Sequence, residues 1–228
     1  MTSEVKTSLL SDRAILKCLQ NKTIIINPFT PKNLSNCSYD VTLGPFYFRE
    51  SSPEPGQTIY NPYSQQMTKK VWGDVLEAET SLSWSTRNQI KLENIRDDEK
   101  IIWLAPNETI LAHTNEFVGG RISVNTMMKA RSSLGRNFIA VCKCAGWGDI
   151  GYVNRWTMEI TNNSRFYSIP LVVGRRIAQI VFFETEGTSA SYEISGKYQE
   201  NINMEELEKN WKPESILPKM YLDREIKN

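Results

Sequence analysis

The sequence has few of the residues that metal and nucleophile chemistry commonly use. His113 is the single histidine among 228 residues, and the four cysteines, Cys18, Cys37, Cys142 and Cys144, include no C-x-x-C pair. No nucleophile motif lies near His113, so we expect a structural or surface role for it. Cys142 and Cys144 would point to one face of a strand, which favours packing over metal ligation. Reduced thiols in a chain of this size fit a cytoplasmic protein.

The sequence also lacks a strong net charge and a long hydrophobic run. The 27 Lys and Arg residues nearly balance the 26 Asp and Glu residues, which gives a formal charge of +1. This balance argues against nucleic acid or an anionic membrane as a partner, but it leaves room for a local anion site. The longest apolar run, residues 177–183, is interrupted by Gln179 and falls short of the ~20 residues of a membrane helix. Residues 1–7 are polar, without the apolar core of a signal peptide.

Short strands and turns dominate what is present. A helix is predicted over residues 11–20, where apolar side chains recur at helical spacing behind a capping Ser11 or Asp12. Many short strands with few helices indicate a mainly β barrel or sandwich. Gly44-Pro45 predicts a turn, and the polar residues 50–100 are predicted to form surface loops and edge strands. The strands are predicted at residues 23–26, 41–43, 46–48, 101–104, 109–112, 138–144, 155–161, 168–173 and 177–184.

The character of the chain changes after Gln199. We therefore divide it into a domain of residues 1–201 and a C-terminal extension of residues 202–228. Residues 204–209 have helical patterning, and Pro213 and Pro218 then interrupt it. This arm could cover a neighbouring subunit or bind a partner, but a plain surface helix is the simpler interpretation.

Residues 130–136, Ala-Arg-Ser-Ser-Leu-Gly-Arg, are a candidate anion site. Two guanidinium groups, two hydroxyls and a flexible turn can offer several donors to a phosphate. The alternative is a helix start that is capped by Ser132, with the arginines in solvent.

Residues 145–152, Ala-Gly-Trp-Gly-Asp-Ile-Gly-Tyr, are a candidate ligand-binding hairpin. The glycines allow a tight turn whose backbone lies close to a ligand. Trp147 and Tyr152 could stack on a ring, and Asp149 could accept a sugar hydroxyl. The alternative is a surface hairpin with aromatic packing.

Glu159 lies between apolar neighbours in Trp156-Thr157-Met158-Glu159-Ile160, in a predicted core strand. If it faces inward it needs a partner or a raised pKa, and such carboxylates are candidate general bases. If it faces outward it is merely solvated. The pattern leaves both orientations open.

Four clusters, in this order, resemble the dCTP deaminase branch of the dUTPase superfamily. The opening helix and strand, and the segment from Ser191 to Gln199, resemble this family's N-terminus and its phosphate-binding C-terminus. The resemblance spans roughly residues 8–201 and is weakest from 50 to 100. Single motifs such as Arg-Ser-Ser are common. The four clusters and the C-terminal segment together make five motifs, and five motifs in this order are specific for the family. The four clusters are Ser38-Tyr39-Asp40-Val41-Thr42-Leu43-Gly44, residues 130–136, residues 145–152 with 156–160, and residues 174–182.

The resemblance implies a distorted dUTPase-like β-barrel of the jelly-roll type, with a short N-terminal helix and the C-terminal arm. It also implies a homotrimer with three active sites at subunit interfaces, each completed by loops of a neighbouring subunit. The implied reaction is the hydrolytic deamination of dCTP to dUTP and ammonia. The family suggests dTTP as a feedback inhibitor.

Catalytic roles also follow from the resemblance. Glu159 matches the glutamate that takes a proton from the water attacking C4 of cytosine, a step typically worth ~10²–10⁴ in rate. Ser132 and Arg136 match the residues that hold the water, the leaving amine and the glutamate. The backbone around Ala145 would read the edge of the pyrimidine.

Further matched residues would bind the sugar and the phosphates. Asp149 would bind the 3′-hydroxyl, and Tyr152 would lie against the deoxyribose beside Trp147. Mg²⁺ would bridge the phosphates. Zinc is not expected, because zinc-dependent cytidine deaminases need H-x-E and P-C-x-x-C segments, which this sequence lacks. The residues that match triphosphate contacts are Arg131, Ser133, Gln179, Tyr192, Lys197 and Gln199.

Three positions depart from the family pattern, and other functions remain open. Ile150 stands in place of Pro or Ala, Asn154 in place of a glycine, and Asn201 in place of the last tail glutamine. A dUTP pyrophosphatase would instead use Asp149 to activate water, but the Gly-rich lid of that family is absent. A bifunctional enzyme would convert dCTP to dUMP, ammonia and pyrophosphate. A non-catalytic nucleotide sensor is the third alternative, and it would not need Glu159.

Overall fold

The fold is built mainly from antiparallel strands. A computed structural model describes residues 8–186, 188 and 203–226. The helices are α1 (Asp12–Gln20), α2 (Gln65–Trp72), α3 (Ser81–Asn88), α4 (Ser132–Gly135) and α5 (Met204–Asn210). The strands are β1 (Ile24–Asn27), β2 (Leu34–Ser35), β3 (Ser38–Arg49), β4 (Leu76–Glu77), β5 (Glu79–Thr80), β6 (Lys100–Leu104), β7 (Thr109–Gly120), β8 (Val124–Ala130), β9 (Ile139–Val141), β10 (Trp147–Gly148), β11 (Val153–Asn162), β12 (Ile169–Val172) and β13 (Arg176–Glu184).

One large curled sheet holds most of these strands. Its order is β10-β8-β13-β3-β7-β11-β9, with β1 added on β7 and both β2 and β4 added on β3. A smaller sheet has the order β12-β6-β5. The mainly β architecture with a short N-terminal helix, expected from the sequence, is confirmed.

Alternation along β11 explains how the sheet forms and where it points its side chains. Trp156, Met158 and Ile160 are buried, while Thr157 and Glu159 between them are half-buried. Successive side chains of a strand point to opposite faces, so the first set enters the core and the second set lies on the other face.

Several predicted elements are confirmed to within one or two residues. Helix α1 begins at Asp12 with Ser11 as its N-cap residue and ends at Gln20, with Asn21 as its C-cap. The strands predicted at residues 101–104, 155–161, 168–173 and 177–184 correspond to β6, β11, β12 and β13.

The prediction of loops and edge strands over residues 50–100 is wrong in part, because helices α2 and α3 form there. Ser64 and Thr80 cap them, accepting hydrogen bonds from the backbone N–H groups of Met67 and Ser83. Both are short and polar, so tertiary packing stabilises them more than propensity does. The stacking of Trp84 of α3 on Trp103 of β6, with ring centroids 4.2 Å apart, is such a contact.

Gly44-Pro45 does not end a strand. The segments predicted at 41–43 and 46–48 are one strand, β3, with an irregular register between Leu43 and Tyr47. The glycine is required because a Cβ on Gly44 would lie 2.0 Å from Cε1 of His113. Strand β7 extends to Gly120, well beyond the predicted 109–112, and β8 was not predicted.

The strand predicted over residues 138–144 ends at Val141. Cys142, Lys143 and Cys144 form a 3₁₀ turn with φ angles of 68°, 36° and 70°. Cys142 is buried and Cys144 exposed, so the prediction that both thiols share one strand face is wrong. All four cysteines are free thiols.

The C-terminal arm, residues 203–226, contains α5 where helical patterning predicted it, followed by 3₁₀ turns at Pro213–Ile216 and Met220–Leu222. Leu207 and Ile216 are buried, so the arm is more than a plain surface helix. The division of the chain at residue 201 stays a prediction. No helix in the described ranges is long and apolar enough to cross a membrane.

Candidate functional site

A pocket of about 300 Å³ lies where β10 and the following turn approach β11. Its volume is at the lower end of the range of small-molecule sites. It brings together five of the residues that the sequence singled out, although they span 15 positions of the chain. These are Ala145, Trp147, Asp149, Tyr152 and Glu159.

Glu159 faces away from the barrel core and into this pocket. It lies opposite Leu111 of β7 in the sheet register, on the face that carries Thr157. Burial raises the pKa of the Glu159 carboxyl, while the positive charge of Lys143 acts to lower it. The orientation of Glu159 is therefore neither of the two that the sequence left open. The carboxylate does not point into the core, but it is still partly shielded from water.

The turn at residues 142–144, whose backbone is strained, places Ala145 in the lining of the pocket. Left-handed backbone costs roughly 1–2 kcal/mol per non-glycine residue, and three such residues follow one another here. Backbone strain of this kind persists where surrounding packing holds it, often at ligand sites. Cys142 packs against Met128, and burial followed by the Glu159 charge raises the pKa of the Cys142 thiol to about 12. That thiol is therefore a packing group.

Gly146 and Gly148 let the backbone after Ala145 pack closely against β8. A Cβ on Gly146 would meet the Met128 carbonyl oxygen at 2.4 Å, and one on Gly148 would meet the Thr126 hydroxyl at 2.3 Å. Strand β10 pairs with β8 and not with β11, so the segment is not a simple hairpin. The segment is tight because its backbone approaches β8 this closely, which only glycine allows at these two positions.

The aromatic residues of the pocket differ in exposure. Trp147 is 60% exposed, and its indole N–H donates to Asp149 Oδ1 over 3.2 Å. Tyr152 packs edge-on against buried Trp156, with ring centroids 5.5 Å apart. The positive φ of this turn falls on Gly151, whereas Asn154 is a buried residue of β11. Substituting the family's glycine with Asn154 thus places no strain on the turn.

Ser132, Ser133 and Arg136 do not reach Glu159 within the chain. They lie exposed on or directly after α4 and do not line the Glu159 pocket. The predicted catalytic trio of Glu159, Ser132 and Arg136 is therefore not assembled by one chain.

Arg131 lines a separate, larger cavity of about 1030 Å³ together with Arg155, Arg175 and Arg176. Buried Asp40 accepts a hydrogen bond from Arg176 at 2.9 Å and lies 3.6 Å from Arg131. The carboxylate holds both guanidinium groups at the cavity, which suits an anionic ligand.

Gln179 of β13 lies opposite Asp40 in the sheet register. Three further predicted phosphate contacts, Tyr192, Lys197 and Gln199, lie outside the described residues.

The described side chains fit a metal ion only if most of the ion's ligands come from a bound molecule and not from the protein. Within residues 8–186, 188 and 203–226 no three His, Cys, Asp or Glu side chains cluster closely enough to hold one. Magnesium commonly binds phosphate oxygens and water with few protein ligands. Arg131 and Arg176 line the larger cavity, so this donor set suits an anion and not a bare cation.

Sequence reasoning missed three pocket residues, which are Leu111 of β7 and, from the C-terminal arm, Ile216 and Pro218. It also missed Lys143, the cation whose field reaches Glu159. Local patterning carries no signal for the arm residues, because their position depends on how the arm folds back over the sheet.

The small pocket has the volume and the mixed aromatic and carboxylate lining of a small-molecule site, and the arginine cavity suits an anionic group. A domain that handles a nucleotide fits both. Residues 9–185 match the model of the dCTP deaminase-like family, and the chain belongs to this family.

Curated relatives agree with this assignment, and a solved structure has a similar fold. The chain is 30% identical over 182 residues to "dCTP deaminase, dUMP-forming" of Methanococcus vannielii, covering 78% of this chain and 82% of that protein. It is 29% identical over 192 residues to the protein of the same name from Persephonella marina, covering 84% and 91%. The fold is similar to that of the 2′-deoxycytidine 5′-triphosphate deaminase of Agrobacterium tumefaciens, with a TM-score of 0.52 and 17% identity, over 78% of this chain and 48% of that one.

Proposed function

We propose that this protein is a dCTP deaminase of pyrimidine deoxynucleotide metabolism. The observation that carries the proposal is the single pocket that joins Glu159 to Ala145, Trp147, Asp149 and Tyr152. The chain's membership of the dCTP deaminase-like family supports deamination of dCTP, and so do the names of its curated relatives, which are described as dUMP-forming.

In the proposed reaction the ionised Glu159 carboxylate takes a proton from a water molecule, whose oxygen attacks C4 of cytosine. The proton passes to ring N3, the C4–N4 bond breaks, and ammonia leaves with the second water proton. The balance is dCTP plus water to dUTP plus ammonia. Because Glu159 must be ionised to take the proton, burial, which raises its pKa in the single chain, opposes catalysis unless a nearby cation offsets it.

Ser132 and Arg136 would enter this site from a neighbouring copy of the chain. Ser132 lies exposed on α4 and Arg136 directly after it, and both are outside the Glu159 pocket of their own chain, which supports a shared site in a homotrimer. An arginine beside Glu159 would hold its pKa down and so oppose the effect of burial. Ser132 would hold the attacking water and the leaving amine.

The remaining residues would bind the rest of the nucleotide. Asp149 would bind the 3′-hydroxyl and Tyr152 the deoxyribose, while the Ala145 backbone would read the base. Magnesium would supply charge neutralisation on the phosphates, and this proton-transfer route gives zinc no role. The triphosphate contacts would be Arg131, Ser133 and Gln179 with Tyr192, Lys197 and Gln199.

A bifunctional reaction that releases dUMP, ammonia and pyrophosphate is the second candidate. It is favoured by Asp149, which shares the pocket with Glu159 and could activate a second water, and by relatives named as dUMP-forming. The cytoplasm is the proposed location, because all four thiols are free. Inhibition by dTTP stays a prediction.

The test incubates the protein with Mg²⁺ and dCTP, or with dUTP, and measures ammonia, pyrophosphate and nucleotides. We expect ammonia from dCTP, with dUMP and pyrophosphate if the second candidate holds. Glu159→Gln should reduce ammonia release by at least ~10²-fold with little change in dCTP affinity, whereas exposed Glu93→Gln should behave as wild type.

Two results would contradict the proposal. Hydrolysis of dUTP without any ammonia from dCTP would transfer the catalytic role to Asp149. Nucleotide binding without turnover of either substrate would identify a sensor.

A further inference from the structure

The C-terminal arm lies on the face of the main sheet that carries Glu159, although it follows the last residue of the family match, 185. Asn27 of β1 donates a hydrogen bond from its side chain to Glu208 of α5. Trp211 packs between the His113 ring, at 4.7 Å between centroids, and the Arg155 guanidinium, at 4.6 Å from the indole centroid. These contacts fix the start of the arm over β7 and β11.

The arm then reaches the pocket itself. Ile216 is 3% exposed and packs in one cluster with Phe48 of β3 and Leu111 of β7. Leu111 is the register partner of Glu159 on β11, so Ile216 covers the sheet one strand away from the carboxylate. Ile216 and Pro218 both line the Glu159 pocket.

We propose that the arm is a built-in wall of the base pocket, and that Ile216 and Pro218 set the size of base that the pocket accepts. The proposal rests on the proposed function, because it takes a cytosine nucleotide as the ligand. Two rigid apolar side chains stand on one side of the pocket, and the exposed Trp147 indole stands among the residues that close the rest. Because these two residues line the pocket, a change of a few carbon atoms in this wall alters what fits.

The first experiment fills the pocket. Pro218→Phe should weaken the affinity for dCTP with Mg²⁺ by about tenfold or more, because the larger side chain enters the space of the base. Pro213→Phe is the matched control, since Pro213 lies on the same arm but does not line the pocket. Equal affinities in the two variants, with both folded by circular dichroism, would overturn the proposal.

The second experiment enlarges the pocket. Ile216→Ala should raise the affinity for 5-methyl-dCTP relative to dCTP by about tenfold. Leu217→Ala removes a neighbouring side chain that packs on the same cluster without lining the pocket, so it should leave this ratio unchanged. The same ratio in both variants would show that the arm only stabilises the fold.

Binding and turnover separate the two proposals. Wild-type protein that binds dCTP but releases no ammonia would contradict the proposed function, while the affinities of the variants would still decide the role of the arm. Wild-type protein that binds neither cytosine nucleotide would overturn both.

Discussion

At the scale of single residues, His113 shows why the only histidine of a sequence need not act in catalysis or metal binding. It is 0% exposed, and its ring nitrogens are both engaged. Nδ1 donates to the Thr114 carbonyl at 2.8 Å, and Nε2 accepts from the Phe46 backbone N–H at 3.3 Å. Burial, with a smaller effect of the Arg155 charge, lowers the pKa of His113 to about 4. The sequence predicted a structural or surface role for His113, and burial leaves the structural one.

His113 should make folding stability depend on pH. Because its pKa is about 4 in the folded state and 6.5 when unfolded, the unfolded chain binds the proton first between these values. The free energy of unfolding should therefore be highest above pH 6.5, and it should fall by roughly 2–3 kcal/mol as the pH is lowered towards 4. Urea titrations at pH 7.5, 6 and 5 measure the slope. His113→Gln should show a smaller slope, and an identical slope in both proteins would contradict the assignment.

Glu159 shows how far residue patterns predict a site. Its place among apolar neighbours identified it as unusual, and the resemblance to a family gave it a role. Its environment depends on Ile216 and Pro218, which follow it by more than 50 positions. Alternation along one strand cannot contain this information, because it reports the strand's own two faces and not what covers them.

At the scale of elements, the turn at residues 142–144 is the least regular part of the site. The strand prediction failed there because β-propensity and apolar pattern continue through the cysteines, while the backbone leaves the sheet at Val141. Three successive left-handed residues without a glycine have no signature in the sequence.

Relieving one of these conformations should stabilise the protein. Cys144 is exposed with φ 70°, so Cys144→Gly should raise the free energy of unfolding by about 1 kcal/mol relative to Cys144→Ala, which retains the Cβ. Chemical denaturation of both variants measures the difference. A glycine variant less stable than the alanine variant would mean that the turn holds no strain at this position.

The other elements divide by how clearly their apolar residues indicate a strand. Strands β6, β11, β12 and β13 have apolar residues on the core face, and their positions were predicted. Strand β8 was missed because it buries Asn125 and Thr126 beside Val124, which removes the hydrophobic period. Helices α2 and α3 were missed because their polar composition is typical of loops, although their caps were present in the sequence.

At the scale of the whole molecule, one chain carries two separate halves of the proposed site. In the proposals above, the Glu159 pocket would supply the general base and the wall against the nucleobase, while Ser132 and Arg136 lie exposed elsewhere. Resemblance to the family predicted this division, because no catalytic cluster is contiguous in the sequence. The arm wall could not be predicted in the same way, since it lies outside the family match.

The most direct test of the shared site mixes two inactive chains. Glu159→Gln and Arg136→Ala chains carry different affinity tags, are co-expressed, and the doubly tagged assemblies are assayed for ammonia release from dCTP. In a cyclic trimer every mixed assembly contains one site with both wild-type groups, so we predict roughly one third of wild-type activity. Mixed assemblies as inactive as each parent would contradict a site built between chains.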